Sequence, residues 1–313
     1  MPMTGFKKVK VAVLMGGPSN ERAVSLQSGQ AVSAALKRLG HTVTDIDPSH
    51  DVASQLMDQP VDVVFNALHG TFGEDGRIQG LLDWMQIPYT GEGIRSSLLA
   101  FDKVLAKQLY RAADVPVALD MVVSRAAAQE LCVDELPFTL PVVVKPVAEG
   151  SSVGVEIIRD ETRLISVLRQ GEFDAYLIEE FIEGPEFSVV CIGTQCLGSV
   201  EIEPMREFYD YSAKYEEFGT RYHIPPRLDA DAIQAVERVG LDAHLALGCR
   251  AVTRSDVILG PNGPIVLETN TLPGMTGQSL VPKVAAAGGI DFPTLIQKII
   301  DLADHGKTGG THG

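Results

Sequence analysis

The apolar positions of this chain fall into short dense runs and longer spaced stripes, and the two alternate through its first third. Val9–Met15 has a buried-strand pattern, and Val24, Ala31, Val32, Ala35, Leu36 and Leu39 then recur at helical spacing until Gly40. Val43–Ile46 returns as a strand, completing a β-loop-α-β unit of the doubly wound type. Val61–Leu68 is a further strand, and Pro88–Gly93 reads as a linker. Beyond it, Leu98, Phe101, Leu105, Leu109 and Ala112 predict one helix whose other face, with Lys103 and Lys107, is solvated. Leu140–Pro146 and Ala175–Glu180 read as strands, and Ser188–Ile192 with Gly198–Ile202 as an antiparallel pair. Ile233, Val236, Gly240, Ala243 and Leu247 stripe a later helix, and a last helix lies near Phe292–Ala303. Phe208–Tyr222 is aromatic and charged without a clean period, the pattern of a lid loop.

Composition narrows the class. At 313 residues with 45% hydrophobic content, the chain has material for two or three domains. Its net charge of −15 argues against nucleic acid or an anionic membrane as the main partner, so an anionic substrate needs local lysines or a metal. The four cysteines form no C-x-x-C pair or framework, which points to a reducing cytoplasm. The apolar run after Lys7 and Lys8 is too short for a signal segment, and no other run approaches a membrane span.

The densest chemistry lies between Arg254 and Thr276. Val257–Leu259 and Ile265–Leu267 flank Gly260-Pro261-Asn262-Gly263-Pro264, the punctuation of a hairpin. Arg254 and Asp256 share a face of the first arm, as do Glu268 and Asn270 of the second. A loop of three or five residues places all four on one face, whereas an even loop splits them. Together they offer two carboxylates and an amide oxygen beside a guanidinium, the hard donors that Mg²⁺ takes. Asn270–Thr276 then enters a Pro-Gly loop whose N–H groups suit an anion. The plain alternative is an exposed hairpin with charged ends.

Other stretches carry paired readings. Glu21, after Gly16-Gly17, suits a substrate ammonium at a strand's carboxyl end, or is a first-turn acid favoured by the helix dipole. His69 opens a glycine-rich loop that allows close approach to a ligand, or is simply solvated. Lys145 precedes Ala148–Gly154, a loop able to wrap phosphates or to make an ordinary turn; no Walker A motif occurs. Glu179–Glu186 suits an adenine and ribose pocket, or a solvated acidic turn.

Set in order, these segments resemble the D-alanine–D-alanine ligases of the ATP-grasp superfamily. The matching motifs are Gly16–Ser25 (G-G-x-S-x-E-R-x-V-S), His69–Gly76 (H-G-x-x-G-E-D-G), Asp102-Lys103 and Val144–Gly154 (V-K-P-x-x-E-G-S-S-V-G). Glu180–Phe187 (E-F-I-x-G-P-E-F), Tyr209–Tyr215 (Y-D-Y-x-A-K-Y), Arg254-x-Asp256 and Glu268–Thr276 (E-x-N-T-x-P-G-M-T) complete the set. The resemblance implies an α/β, three-domain ATP-grasp fold with a Rossmann-like N-terminal domain over 1–93, a central domain over 94–180 and a C-terminal domain over 181–313. It implies ATP-dependent joining of two D-alanines through a D-alanyl phosphate, for peptidoglycan precursors. By the same resemblance Lys103, Lys145 and Lys214 hold ATP phosphates under Ser151 and Ser152, while Glu179 and Glu186 take adenine and ribose. Asp256, Glu268 and Asn270 bind two Mg²⁺ or Mn²⁺ ions. Glu21 takes the first D-alanine's ammonium and is linked through Ser151 to Tyr215, which closes the lid. Arg254 and the Gly274 N–H face the tetrahedral oxyanion, His69 joins the substrate site, and Ser279 and Leu280 receive the second D-alanine's carboxylate. A homodimer is implied as well. Glu180 stands where relatives vary, and Glu216–Gly219 departs from the family pattern. A sister ligase making D-alanyl-D-lactate or another D-alanyl product, with position 215 as the discriminating feature, and a binding module without chemistry are the alternatives.

Overall fold

The computed structural model describes residues 7–304, apart from 49–50, 60, 132, 149–153, 172 and 205–219. Three sheets organise it. The first contains β1 (Lys10–Leu14), β2 (Thr42–Ile46) and β3 (Val63–Asn66), all parallel in the order β2-β1-β3. Helix α1 (Arg22–Leu39) crosses from β1 to β2 and ends on a left-handed Gly40; α2 (Val52–Met57) and α3 (Arg77–Trp84) follow. β1 reads as an unbroken apolar run from Val11 because both its faces are covered. Ala12 and Leu14 share one core with Val64, Ile78 and Leu82, while Val11 and Val13 share another with Val32 and Leu36 from α1.

The single helix expected across Leu98–Ala112 is two helices, α4 (Ile94–Phe101) and α5 (Lys103–Ala112). Asp102 divides them, because its carboxylate accepts the Val104 and Leu105 N–H groups at 2.9 and 3.0 Å and so starts a new helix. The break also turns the face. Leu98 and Ala112 are exposed, while Lys103, Ala106, Lys107 and Tyr110 are buried, so the lysines do not form a solvated surface.

The second sheet is antiparallel, β4 (Asp120–Ser124), β5 (Val142–Pro146), β6 (Glu156–Ile158) and β7 (Ala175–Glu180) in the order β4-β7-β5-β6, with α6 (Glu161–Gln170) against it. The third comprises β8 (Glu186–Ile192), β9 (Gln195–Pro204), β10 (Thr220–His223), β11 (Val252–Gly260) and β12 (Gly263–Asn270) in the order β10-β9-β8-β11-β12. Helix α7 (Ala230–Ala246) packs on it together with α5, sharing a core of Tyr110, Phe187, Val189, Val236 and Val257. On the other side α8 (Leu280–Ala287) and α9 (Phe292–Asp301) join Val190 and Val200 to the core of the first sheet. Pro282 sits in the first turn of α8, where no N–H partner is lost. Among the described residues no helix is long and apolar enough to cross a membrane.

Candidate active site

The hairpin between β11 and β12 turns through Pro261 and Asn262, a two-residue loop with Gly260 paired to Gly263. On parity alone this even loop would set Asp256 opposite Leu267 and split the four polar residues. It does not, because the register shifts after Val257–Val266: Leu267 is an extra residue, Asp256 pairs with Glu268, and Arg254 pairs with Asn270. The odd-loop expectation is therefore wrong about the turn. A bulge, not the turn, puts the four on one face. Leu267 and Glu268 accordingly line the same cavity. Behind them the intervening Ser255 and Thr269 point into protein, where the Thr269 hydroxyl meets Tyr110 Oη at 2.8 Å and Ser255 Oγ at 2.9 Å. This buried chain fixes the hairpin against α5.

Asp256 is buried and hydrogen-bonded on both oxygens. Arg254 grips it with both Nε and a terminal nitrogen at 2.9 Å, and Ser188 Oγ donates to Oδ1 at 2.6 Å. Lys103 Nζ lies 4.0 Å from Glu268, so cations already stand where these carboxylates converge. Asn270 Oδ1 accepts the Leu272 N–H at 2.8 Å and keeps a second lone pair. Two carboxylates lining one cavity, with an amide oxygen on the same hairpin face and a lysine close by, suit a hard divalent ion.

The cavity in front of the hairpin has a volume of about 340 Å³, within the range of small-molecule sites. It opens between the second and third sheets. Lys103, Lys145, Glu179 and Glu186 contribute its polar lining, and Val143, Ile157 and Ile202 its apolar walls. On β7 the alternation of the strand sends Glu179 inward, buried, while Glu180 accepts the Leu119 N–H at 2.9 Å outside. Glu179 is bound on both oxygens, one by Lys145 and one by Lys107. Burial works to raise the Glu179 pKa, but the two ammonium groups outweigh it and hold it below the usual carboxylate range. Burial opposes charge on Lys145 too, and Glu179 overcomes it, leaving the pKa raised. Lys107 is pushed down to about 8 by burial, against the attraction of Glu179.

A second cluster forms where the N-terminal loops meet the Pro-Gly loop. Glu21 is the N-cap position of α1 but makes no capping bond with its side chain. Its carboxylate lies against Gly70, whose φ of +66° is a left-handed conformation that favours glycine. Ser19 Oγ donates to the His69 carbonyl at 2.7 Å, joining the two loops. His69 is buried rather than solvated; its Nε2 is 3.3 Å from Ser28 Oγ and its Nδ1 3.5 Å from Glu74. Ser28 Oγ in turn accepts the Met275 N–H at 3.1 Å. Gly274 sits between Ser28 and Ser279, and a Cβ there would come within 2.9 Å of Ser279 Oγ, which would have to move. Ser279 precedes α8, and its Oγ accepts the Thr276 N–H at 3.0 Å and meets the Thr276 hydroxyl at 2.9 Å; Leu280 is buried as the first residue of the helix.

The fold thus gathers Lys103, Lys145, Glu179, Glu186, Asp256 and Glu268 around one cavity, and Glu21, His69, Gly274 and Ser279 around the adjoining loops. Ser151, Ser152, Lys214 and Tyr215 lie outside the described residues. Asp120, Ser188 and Ser28 escaped the sequence reading, in which Lys107 is solvated. Only Lys107 had a visible signal, its i+4 spacing from Lys103.

A cavity gripped between two antiparallel sheets, charged by lysines from one and by a carboxylate hairpin from the other, is the ATP-grasp architecture, a class of ADP-forming ligases. Models of the D-ala D-ala ligase N-terminus and C-terminus match residues 44–92 and 109–301. The chain is 45% identical over 297 residues to a D-alanine–D-alanine ligase of Anaeromyxobacter sp. (strain Fw109-5), covering 94% of this chain and 96% of that protein. It is 45% identical over 306 residues to one of Geotalea uraniireducens, with 97% and 98% coverage. A crystal structure of the Bacillus anthracis D-alanine–D-alanine ligase superimposes with a TM-score of 0.84 at 34% identity, covering 94% of this chain and 97% of the other. The same enzyme complexed with ATP gives 0.82 at 31% identity and the same coverage, and the VanG D-Ala:D-Ser ligase of Enterococcus faecalis 0.81 at 28%, covering 95% and 99%. The chain belongs to the D-alanine–D-alanine ligase family, which joins D-alanine at the expense of ATP in peptidoglycan synthesis.

Proposed function

We propose that this protein uses ATP to join two D-alanine molecules, through a D-alanyl phosphate, and that the two clusters described above divide the work. The observation that carries this reading is the pairing of Asp256 with Glu268 across the cavity from Lys103 and Lys145, on the same hairpin that leads into the Gly274 loop. A carboxylate is a poor electrophile, so the first D-alanine's carboxylate attacks the γ-phosphorus and ADP leaves. Lys103 and Lys145 offset the charge of the transferring group. Glu21 holds the ammonium of this first D-alanine, with His69 beside it. The neutral amine of the second D-alanine, its carboxylate held at Ser279 and Leu280, then attacks the acyl carbon and phosphate departs. Arg254, held against Asp256, and the Gly274 N–H stabilise the oxyanion of that step. Asp256, Glu268 and Asn270 would hold two Mg²⁺ or Mn²⁺ ions, which supply charge neutralisation at the phosphates. Glu179 and Glu186 face the base and ribose. Lys214, Ser151, Ser152 and Tyr215 belong to the lid and phosphate loop in this reading. It further places the enzyme in the cytoplasm as a homodimer, with units dividing near residues 93 and 180.

The test is ADP release, coupled to product analysis, across D-alanine, D-serine, other D-amino acids and D-lactate. D-Alanyl-D-alanine as the main product at pH 7.5, lost on chelation and restored by Mg²⁺, is expected. Equal use of D-lactate or D-serine as second substrate would replace the product assignment, and ADP release indifferent to all of them would remove the ligase reading of this site.

A further inference from the structure

Lys107 is only 2% exposed and does not line the cavity, yet its Nζ binds Glu179 and lies 3.1 Å from Asp120. A lysine this deep is rare without a specific task, since desolvating an ammonium is costly. Its surroundings suggest the task. Glu179 is shared: one oxygen takes Lys107 from behind, the other takes Lys145 from the cavity side. Asp120, directly opposite Glu179 in the strand register, anchors Lys107 and is itself held by Arg111. On the cavity side stand Lys103, Glu186 and Glu268.

An anionic ligand entering the cavity competes with Glu179 for the Lys145 ammonium. That exchange is easy only if Glu179 keeps a counterion, because an uncompensated buried carboxylate is strongly unfavourable. Among the described residues, Lys107 is the cation bonded to Glu179 that does not line the cavity. We propose that Lys107 is a positioning residue for ATP: it holds Glu179 in place and neutralised, and so frees Lys145 for the phosphates. Without it, Glu179 keeps Lys145 for itself. The inference rests on the reading of the cavity as the nucleotide site.

Lys107→Met is expected to raise the KM for ATP about tenfold, a coupling typical of one shared buried network, while kcat and the KM for D-alanine stay within about twofold. Lys107→Arg, which keeps the charge, should remain within about threefold of wild type in every constant. Lys107→Gln serves as the second variant should the methionine protein not fold. It keeps a donor towards Glu179 but no charge, and the same rise in KM for ATP is expected of it. A purely structural ion pair would instead lower the melting temperature and leave the KM for ATP unmoved in the folded Met or Gln variant, which overturns the proposal. So does a loss confined to kcat, or an Arg variant no better than Met. Lys145→Ala separates the parent reading from this one: wild-type KM for ATP in that variant would mean that the cavity is not the phosphate site at all.

Discussion

Arg254 shows how one side chain can serve two neighbours. Its fork grips Asp256 through two nitrogens, which fixes the guanidinium plane against the hairpin. In the proposed mechanism its removal takes away an oxyanion donor, and it leaves Asp256 with Ser188 as its other bonded partner. Arg254→Ala is expected to cut kcat by roughly 10²–10³, the usual loss for one such donor, with the KM for ATP little changed. Arg254→Lys should recover only part of this, because a point charge cannot span both Asp256 oxygens. Steady-state kinetics decide it: a raised KM for ATP at unchanged kcat would assign Arg254 to the nucleotide instead.

At the scale of elements, two short irregularities place the chemistry. Leu267 is the extra residue that brings Glu268 opposite Asp256, and Asp102 is the break that brings Lys103 and Lys107 inward. Asp102 caps α5 with two hydrogen bonds, and the Lys103 N–H is tied to the Val147 carbonyl at 3.1 Å, beside β5 and Lys145. Asp102→Ala should therefore lower stability by about 1 kcal/mol in denaturant melts and also raise the KM for ATP, since the start of α5 carries Lys103. Asp102→Asn should restore both, because asparagine caps equally well. Restored stability without a restored KM would show that the carboxylate, not the cap, matters to the nucleotide.

The whole molecule is stitched at Glu92, in the segment between the first sheet and α4. Its two carboxylate oxygens accept the Arg250 and Ala251 N–H groups at 2.8 Å, joining this segment to the approach to β11. Burial pushes its pKa from 4.5 up to about 7, although both N–H groups oppose the rise. The folded protein thus binds this proton more tightly than the unfolded chain does. That contribution is complete below about pH 4.5 and is lost as the pH climbs through about 7. Glu92→Gln does not titrate, so its stability relative to wild type should improve between pH 5 and 7.5, by up to about 3 kcal/mol for a shift of this size. Thermal melts of the pair at both pH values check this, and a constant difference would mean that Glu92 keeps one charge state throughout.

What the sequence by itself determined was local and periodic. The first β-loop-α-β unit, the Gly40 stop, the β8–β9 pair and α7 all follow from short-range spacing, and the family motifs carried the functional class. What only the tertiary structure decided was which way residues face once spacing is interrupted. One unpaired residue at Leu267 reverses the parity of a strand, and one capping carboxylate at Asp102 rotates a helix face; neither leaves a mark in hydrophobic periodicity. Lys107 is the sharpest case. A lysine at helical spacing reads as solvated, because burying its charge is unfavourable unless partners wait inside. Glu179 and Asp120, 72 and 13 residues away in the chain, are those partners, and only the packing of α5 against β4 and β7 brings them there.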